Sequence, residues 1–220
     1  MTDTKQEIEW LAPYVSDHKV CLIDQVLRNR TRRVTVVLED IYFSQNASAA
    51  LRTCECLGVQ DVHIIEDQHT YKQNPKVLRG AGKWLSIHRY PVSDPAQSCI
   101  RTLKSEGFTI YSTSPAANAL DLYDIVPDHK MAFVFGTELT GISAHVQGLS
   151  DHQVKIPMVG FTDSFNISVS VALTLQHVMQ HMKGSGEQWQ MSLDEQDMLR
   201  LHWYRQIVKS ADRIIQRMRE

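Results

Sequence analysis

Short apolar runs alternate with amphipathic stretches along the middle of the chain. The runs are rich in β-branched residues and cover Val34–Leu38, Val62–Ile65, Trp84–Tyr90, Phe108–Tyr111, Met131–Phe135 and Gln153–Ile156. Apolar residues at helical spacing lie between or after them, near 46–57, 94–106, 142–149 and 166–181. Because strands that alternate with helices assemble into a parallel sheet covered on both faces, the pattern predicts an α/β fold of that kind.

Both ends of the chain carry helical patterns outside this alternation. Residues 5–30 have the mixed surface of a helical segment, and residues 183–191, KGSGEQWQM, have the composition of a linker. Ser192 and Glu195 stand at capping-box spacing and predict one C-terminal helix. Its apolar seam consists of Leu201, Tyr204, Val208, Ala211, Ile215 and Met218. The predicted organisation is an N-terminal helical extension over 1–30, a central domain over 31–182, and a linker with a C-terminal helix over 183–220.

The overall composition is that of an ordinary globular protein. Of the 220 residues, 43% are hydrophobic and 22% are charged, and no apolar run is long enough to span a bilayer. The first residues include acidic side chains and lack the apolar core of a signal peptide, so we expect a cytoplasmic protein. The four cysteines do not have the spacing of a zinc site, so we expect reduced, mostly buried thiols.

The net charge of −2 means that any nucleic-acid site must come from a local basic patch. One candidate patch precedes the first strand and consists of Arg28, Arg30, Arg32 and Arg33. A second would form a stripe along one side of the predicted C-terminal helix, because its members recur at every fourth position. They are Arg205, Lys209, Arg213 and Arg217. Taken alone, this stripe is also consistent with a solvated helix face.

Three familiar motifs are incomplete, and each excludes a class of site. The segment from Gly80 to Trp84 lacks the first glycine and the Ser/Thr of a phosphate-binding P-loop. No G-x-G-x-x-G follows the first predicted strand, so a dinucleotide fold is not supported. His177 and His181 have the spacing of a zinc-protease pair but lack the glutamate base. We therefore expect neither a nucleotide site of these types nor a metal site.

Three polar stretches follow predicted strands, and parallel strands bring such stretches to one edge of a sheet. In the first stretch, residues 42–52, Asn46 has the position of a helix N-cap, with a functional role as the open alternative. Arg52 lies further along the same helix, among apolar residues that predict close packing. A guanidinium in that setting needs an acidic partner, a phosphate or a substrate.

The other two stretches add further polar groups to this edge. Residues 133–142, FVFGTELTGI, take an apolar strand into G-x-E-x-x-G around Glu138, where glycines let backbone approach a ligand closely. Residues 156–173, IPMVGFTDSFNISVSVAL, place Ser164 and Asn166 at the start of an apolar helix. One cap satisfies a helix start, so the two together exceed what capping needs. An Arg, a Glu and a Ser/Asn pair at one edge indicate a functional site.

The three stretches, in this order and spacing, resemble the signature motifs of the SpoU-type (SPOUT superfamily) RNA 2′-O-ribose methyltransferases. The similarity extends over residues 33–180. Within the family, VTVVLEDIYFSQNASAALRTCECLGVQDVHII is most similar to the members that modify guanosine 18 of tRNA. The resemblance implies a parallel sheet with a C-terminal trefoil knot, a homodimer, S-adenosyl-L-methionine as cofactor and tRNA as substrate.

The resemblance also implies roles for individual residues. Arg52 would activate the ribose 2′-hydroxyl or orient a phosphate, and Asn46 would position it. The residues implied to order the site and contact RNA or cofactor are Glu138, Ser164 and Asn166. Those implied to hold the cofactor are Thr113, Gly136, Ile156, Met158 and Phe165, the last standing where the family usually has Leu. In that light the basic patches predict tRNA contacts from Arg30, Arg32 and Arg33, and from the stripe of Arg205, Lys209, Arg213 and Arg217.

Other functions stay open at the level of the sequence. A ribosomal RNA or another tRNA position is the main alternative target. A knotted RNA-binding protein without catalysis is a second alternative, although the presence of Asn46, Arg52, Glu138, Ser164 and Asn166 weighs against it. A small-molecule α/β enzyme with another cofactor is a third, and the missing glycine motifs weigh against that one.

Overall fold

The computed structural model describes residues 2–137 and 140–219. Its strands are β1 (Val34–Glu39), β2 (Asp61–Ile65), β3 (Ser86–Arg89), β4 (Phe108–Thr113), β5 (Leu120–Asp121), β6 (Lys130–Phe135) and β7 (His152–Lys155). Its helices are α1 (Thr2–Leu11), α2 (Asp17–Leu27), α3 (Ser44–Leu57), α4 (Pro75–Leu78), α5 (Pro95–Ser105), α6 (Ala144–Leu149), α7 (Ile167–Gly184), α8 (Leu193–Ile207) and α9 (Ala211–Arg219). The chain forms two compact units. The larger unit is Arg32–Trp189, and the smaller unit combines the N-terminal segment up to Thr31 with the C-terminal segment from Gln190 onward.

The larger unit is built on one parallel sheet, which confirms the predicted parallel α/β class. The strands run in the order β3-β2-β1-β6-β4-β7-β5, and every described pair is parallel. All six runs predicted as strands occur within this sheet. The two-residue β5 was not predicted, because so short a strand leaves no periodic signal in the sequence.

Helices cover both faces of the sheet, and alternate strand residues point to opposite faces. Val36 of β1 belongs to the cluster that includes Leu51 of α3 and Val171 of α7. Its neighbour Val37 belongs to the other cluster, with Ile100 of α5. Every residue of β1 is buried, including the polar Thr35 and Glu39, as expected for a central strand of a parallel sheet that is covered on both faces.

The smaller unit contains α1, α2, α8 and α9, and it differs from the sequence prediction in two places. The N-terminal segment is not one helix, because a 3-10 turn at Ala12–Tyr14 that includes Pro13 separates α1 from α2. The predicted C-terminal helix is also divided. It ends at Ile207, and Ser210 takes a left-handed φ of 61° before α9 begins. Four members of the predicted seam are nevertheless buried, namely Tyr204, Val208, Ala211 and Ile215.

Candidate active site

A cavity of about 390 Å³ lies at the carboxyl ends of β4, β6 and β7. This is the edge where open α/β sheets bind ligands. The structure brings together all five residues predicted to hold the cofactor, together with Ser164, and each of them lines this cavity. They are Thr113, Gly136, Ile156, Met158 and Phe165. The Thr113 hydroxyl donates to the Val134 carbonyl over 3.0 Å, so this side chain ties β4 to β6 beneath the cavity.

The loop after β6 forms one wall of the cavity and explains both glycines of G-x-E-x-x-G. Thr137 and Gly141 exchange two backbone hydrogen bonds of 3.0 Å, which closes the loop on itself. A Cβ atom at Gly136 would lie 2.1 Å from the Gly141 carbonyl oxygen. Gly141 has a φ of +67°, a conformation that favours glycine. The close approach is therefore between two parts of the loop's own backbone, and Glu138 lies outside the described residues.

Glu39 fixes the far end of the same loop and was not predicted to contribute to the site. It lies at the end of β1, is only 6% exposed, and accepts a hydrogen bond from the Ser143 backbone over 3.1 Å. Burial raises the pKa of this carboxyl, and the hydrogen bonds from Ser143 oppose that shift. Ser143 also caps α6 by accepting from the Val146 N–H over 3.2 Å. The sequence signal that could have identified Glu39 as part of the site is its position at the end of a strand whose other residues are mainly apolar.

Asn166 and Asn46 lie at the starts of α7 and α3. Asn166 caps α7, since its Oδ1 accepts from the Ser168 N–H over 2.9 Å. Its amide nitrogen donates to Asn46 Oδ1 over 3.3 Å. The interpretation of Asn46 as a helix cap is wrong, because α3 begins at Ser44 after Phe43 and Asn46 lies within its first turn. The side chain of Asn46 instead connects its helix to α7.

Arg52 lies outside the cavity, in a groove of about 640 Å³ between α3 and α7. The groove is lined largely by apolar side chains, including Leu57, Val169 and Leu173. The sequence predicted that Arg52 would be closely packed, but its side chain is exposed because it lies on the outer side of α3. No described residue forms an ion pair or hydrogen bond with its guanidinium. The predicted catalytic residues that the structure describes therefore divide between the cavity, the Asn46–Asn166 contact and this groove.

The first predicted RNA-binding patch is occupied by intramolecular contacts. Arg30 is 1% exposed and lies 5.6 Å from the centre of the Trp203 ring, so its predicted contact with RNA is wrong for this chain. Arg32 forms two hydrogen bonds with the Asp61 carboxylate, at 3.0 and 2.9 Å. Arg33 donates to the backbone carbonyls of Asp128 and Gln188, at 2.7 and 3.0 Å. These arginines stabilise the fold within their own units.

The second patch is not a continuous stripe, because the helix that would carry it is interrupted. Arg205 lies in the last turn of α8 and pairs over 2.6 Å with the buried Glu7, which also pairs with Arg219. Lys209 lies between the two helices, where it shares no face with its predicted neighbours. Arg213 and Arg217 are exposed on α9. The predicted four-residue stripe is therefore wrong, and two of its members remain as exposed charges on one short helix.

Metal-ligand clusters, membrane-spanning helices and disulfides are absent from the described residues. No three of their His, Cys, Asp or Glu side chains are grouped as metal ligands would be. None of the described helices is both long enough and apolar enough to cross a membrane. All four cysteines lie within the described residues and none forms a disulfide; Cys54 and Cys99 are buried, and Cys21 and Cys56 are exposed. The prediction that most of them are buried therefore holds for only half.

Comparisons with known proteins extend this picture. The model of the SpoU rRNA methylase family matches residues 33–176. A curated tRNA (guanosine(18)-2′-O)-methyltransferase of Borreliella burgdorferi is 42% identical over 208 residues, covering 94% of each chain. The enzyme of the same description from Thermus thermophilus is 34% identical over 153 residues, covering 70% of this chain and 77% of the relative.

Solved structures show the same fold at lower identity. A structure described as an Aquifex aeolicus TrmH/SpoU tRNA modifying enzyme matches with a TM-score of 0.78 and 24% identity, over 88% of this chain and 98% of that one. The SpoU methyltransferase AviRb from Streptomyces viridochromogenes, solved in complex with AdoMet, matches with a TM-score of 0.62 and 20% identity. That match covers 74% of this chain and 65% of that one.

Proposed function

The chain belongs to the SpoU rRNA methylase family, and from this premise we propose that it methylates the 2′-hydroxyl of a ribose in tRNA, with guanosine 18 as the target. The observation that carries the proposal is the cavity at the carboxyl ends of β4, β6 and β7. It is lined by the residues that the family motifs assign to S-adenosylmethionine. The relative that shares 94% coverage in both directions is named for this reaction.

The cavity has the size and lining that S-adenosylmethionine requires. Its volume of about 390 Å³ lies in the range of small-molecule sites. Ile156, Met158 and Phe165 supply an apolar surface that would exclude water from an adenine ring. The backbone at Gly136 and the hydroxyl of Ser164 add polar groups to the lining. When bound, the cofactor supplies a methyl group on a positively charged sulfur.

The chain's own residues then have to deliver the ribose oxygen in line with that methyl group. Arginine is a poor base at its ordinary pKa, so we assign Arg52 to orient an RNA phosphate and to stabilise negative charge on the 2′-oxygen. The Asn46–Asn166 contact holds the helix that carries Arg52 against α7. Ser164 lies in the cavity wall, and Glu138, outside the described residues, is assigned to order the loop that carries it.

A homodimer would unite the two parts of the site. Arg52 lies in the α3/α7 groove and not in the cavity of its own chain. That groove is apolar, and Val169 beside it is 43% exposed. A second copy that covers the groove would bury these side chains and place Arg52 beside the partner's cavity. Sedimentation of wild type and Val169→Asp tests this assignment, and a wild-type monomer would contradict it.

A trefoil knot in the C-terminal part of the larger unit is also part of the proposal. β7 lies between β4 and β5, although β4 and β5 are joined directly by residues 114–119. That connection therefore crosses the carboxyl end of β7, and Lys155 Nζ donates to the Ala117 carbonyl over 2.8 Å where it does so. We assign residues 156–166 to a path through the resulting loop. An experimental structure that traces them outside it would contradict the knot.

The decisive experiment measures methyl transfer and its position. The full-length protein is incubated with labelled S-adenosylmethionine and unmodified tRNA, and the nucleosides are then separated. The proposal is supported if the label appears as 2′-O-methylguanosine at position 18 and is absent when a tRNA transcript with adenosine at position 18 is used. Label in ribosomal RNA, or at another position of tRNA, would show that guanosine 18 is not the target. Binding of tRNA with no transfer would instead favour a non-catalytic RNA-binding protein. The cytoplasmic location stays a prediction.

A further inference from the structure

The segment between β2 and α5 has a charge opposite to that of the rest of the chain. Residues 68–93 contain five Lys or Arg residues and no Asp or Glu. The remainder of the chain, with 18 basic and 25 acidic residues, has a formal charge of −7. A segment with five basic and no acidic residues, on a protein whose remainder is acidic, is a candidate site for a polyanion.

Four of the five basic side chains are exposed and available. They are Lys72, Lys76, Arg79 and Lys83, which we call the 72–83 patch. No described residue forms an ion pair or side-chain hydrogen bond with any of them, whereas the fifth, Arg89, is held by Glu66 at 2.6 and 2.7 Å. This distinguishes the patch from Arg32 and Arg205, whose charges are matched by buried carboxylates.

The backbone at Arg79 gives a second observation. Arg79 is the C-cap residue that follows α4, and its φ of 47° lies in the left-handed region that glycine occupies without strain. Gly80 follows with a φ of 81°, so the chain makes this turn with two left-handed residues in succession. A charged side chain occupies the position where glycine would be more stable. A function for the exposed guanidinium would account for that choice.

The 72–83 patch is joined to the helix that carries Arg52. The Asn74 backbone donates to Ser48 Oγ of α3 over 2.9 Å. Leu78 and Ala81 are buried in the same apolar cluster as Leu51 of α3. Val77 lines the groove that also contains Arg52. The patch and Arg52 therefore lie on one rigidly packed part of the larger unit, with the buried residues holding the exposed charges in place.

We propose that Lys72, Lys76, Arg79 and Lys83 bind the phosphate backbone of the tRNA next to the nucleotide whose ribose is presented to Arg52. The inference rests on the proposed function, because tRNA is the polyanion that the methyl-transfer site must receive. Phosphate contacts of this kind set the position of a nucleic acid without reading its sequence. The patch thus takes over the role that the sequence suggested for the arginines before β1 and at the end of α8.

The test compares two full-length variants that lose the same charge. The patch variant is Lys72→Gln/Lys76→Gln/Lys83→Gln, and the control is Lys5→Gln/Arg101→Gln/Lys130→Gln, which removes exposed charges from other elements. The affinity for tRNA is measured over a series of salt concentrations. Each lost phosphate contact reduces the slope of log K against log salt by about 0.7 to 0.9, so we expect the patch variant to lose about 2 units. The control is expected to keep the wild-type slope.

Arg79→Gly separates binding from folding. Glycine relieves the left-handed backbone, so the melting temperature is expected to stay level or rise, while tRNA affinity falls about threefold or more and the slope falls by about 0.7 to 0.9. In turnover, both patch variants are expected to raise KM for tRNA and to leave kcat and cofactor affinity unchanged. Equal slopes in patch and control variants, or a wild type that does not bind tRNA, would overturn the inference.

The outcomes also distinguish this inference from the proposed function. If wild type methylates tRNA and the patch variant retains its slope and KM, only the phosphate-binding role is wrong. If wild type binds tRNA without methyl transfer, and only the patch variant shows a reduced salt dependence of tRNA affinity, the phosphate-binding role stands and the catalytic function is wrong.

Discussion

Asn166 donates from its amide nitrogen to Asn46 Oδ1 over 3.3 Å, although the two residues are 120 positions apart in sequence. The bond connects the N-terminal ends of α7 and α3. The direction of this bond is fixed chemically. Asn166 Oδ1 already accepts from the Ser168 N–H and hydroxyl, at 2.9 and 2.7 Å, so its nitrogen must face Asn46. One side chain therefore caps α7 and sets the position of α3, the helix that carries Arg52.

This relationship predicts different outcomes for single and double substitutions. Asn46→Asp keeps an acceptor opposite Asn166, and we expect it to retain at least about a third of wild-type kcat. Asn166→Asp keeps a good helix cap, and the Asn46 amide can turn to donate to it. The double variant opposes two carboxylates, so kcat should fall at least about tenfold more than the two single effects combined. Methyl-transfer kinetics with unfolding curves measure this coupling, and additive effects would remove the bond from the mechanism.

Gly136→Ala tests the loop that forms the cavity wall. The new Cβ would lie 2.1 Å from the Gly141 carbonyl oxygen, so the loop must move. We expect a loss of S-adenosylmethionine affinity of at least about tenfold, measured by calorimetry, because a displacement of about 1 Å in a positioned site is costly. Gly148→Ala is the matched control, since nothing lies within 4 Å of its Cβ and it occupies α6. Equal affinities in the two variants would contradict this account of the loop.

His63 predicts how stability depends on pH. It is buried on β2, stacks on His88 at 4.5 Å between ring centres, and lies 2.6 Å from the Tyr90 hydroxyl. Burial, followed by the charge of His88, lowers its pKa from 6.5 to about 4, while Asp61 opposes the shift. Between these values the unfolded chain binds a proton that the folded chain does not, so stability is lost as the pH falls from 6.5 towards 4.

The measurement compares wild type with His63→Phe, which retains an aromatic ring and cannot titrate. Between about pH 7.5 and pH 5, the unfolding free energy of wild type should fall by about 2 kcal/mol more than that of the variant. Urea titrations at a series of pH values give this difference directly. The other ionisable groups titrate in both proteins, so their contributions cancel in the comparison. Parallel pH profiles would show that His63 keeps an ordinary pKa.

The sequence predicted the sheet because its central strands are short runs of mainly β-branched and apolar residues, such as Val34–Leu38, which can be recognised from neighbouring positions alone. It predicted the cavity residues only through their resemblance to family motifs. The interruption at Ser210 carries neither Gly nor Pro, so periodicity continued through it. The burial of Arg30 depends on Trp203, and the state of Arg205 depends on Glu7, which is 198 positions away. Charge pairing over such distances is set by tertiary packing and leaves no periodic signal.

The position of Arg52 leads to the last prediction, which concerns how two chains share a site. Arg52→Ala should reduce kcat at least about a hundredfold and leave cofactor affinity unchanged, because the side chain lies outside the cavity of its own chain. Gly136→Ala should weaken S-adenosylmethionine binding instead, so it is inactive when the assay keeps the cofactor well below the dissociation constant of this variant. If each Arg52 serves the partner's cavity, a mixed dimer of the two variants contains one intact combination.

Equal amounts of the two inactive variants, unfolded and refolded together, should therefore recover about a quarter of wild-type activity, since half of the dimers are mixed and each has one working site. Refolded wild type gives the reference activity, and each variant refolded alone gives the baseline. A site assembled within one chain has no intact combination in any of these dimers, so the mixture would stay at the baseline. That result would return Arg52 to its own chain's site and require the α3/α7 groove to open towards the cavity.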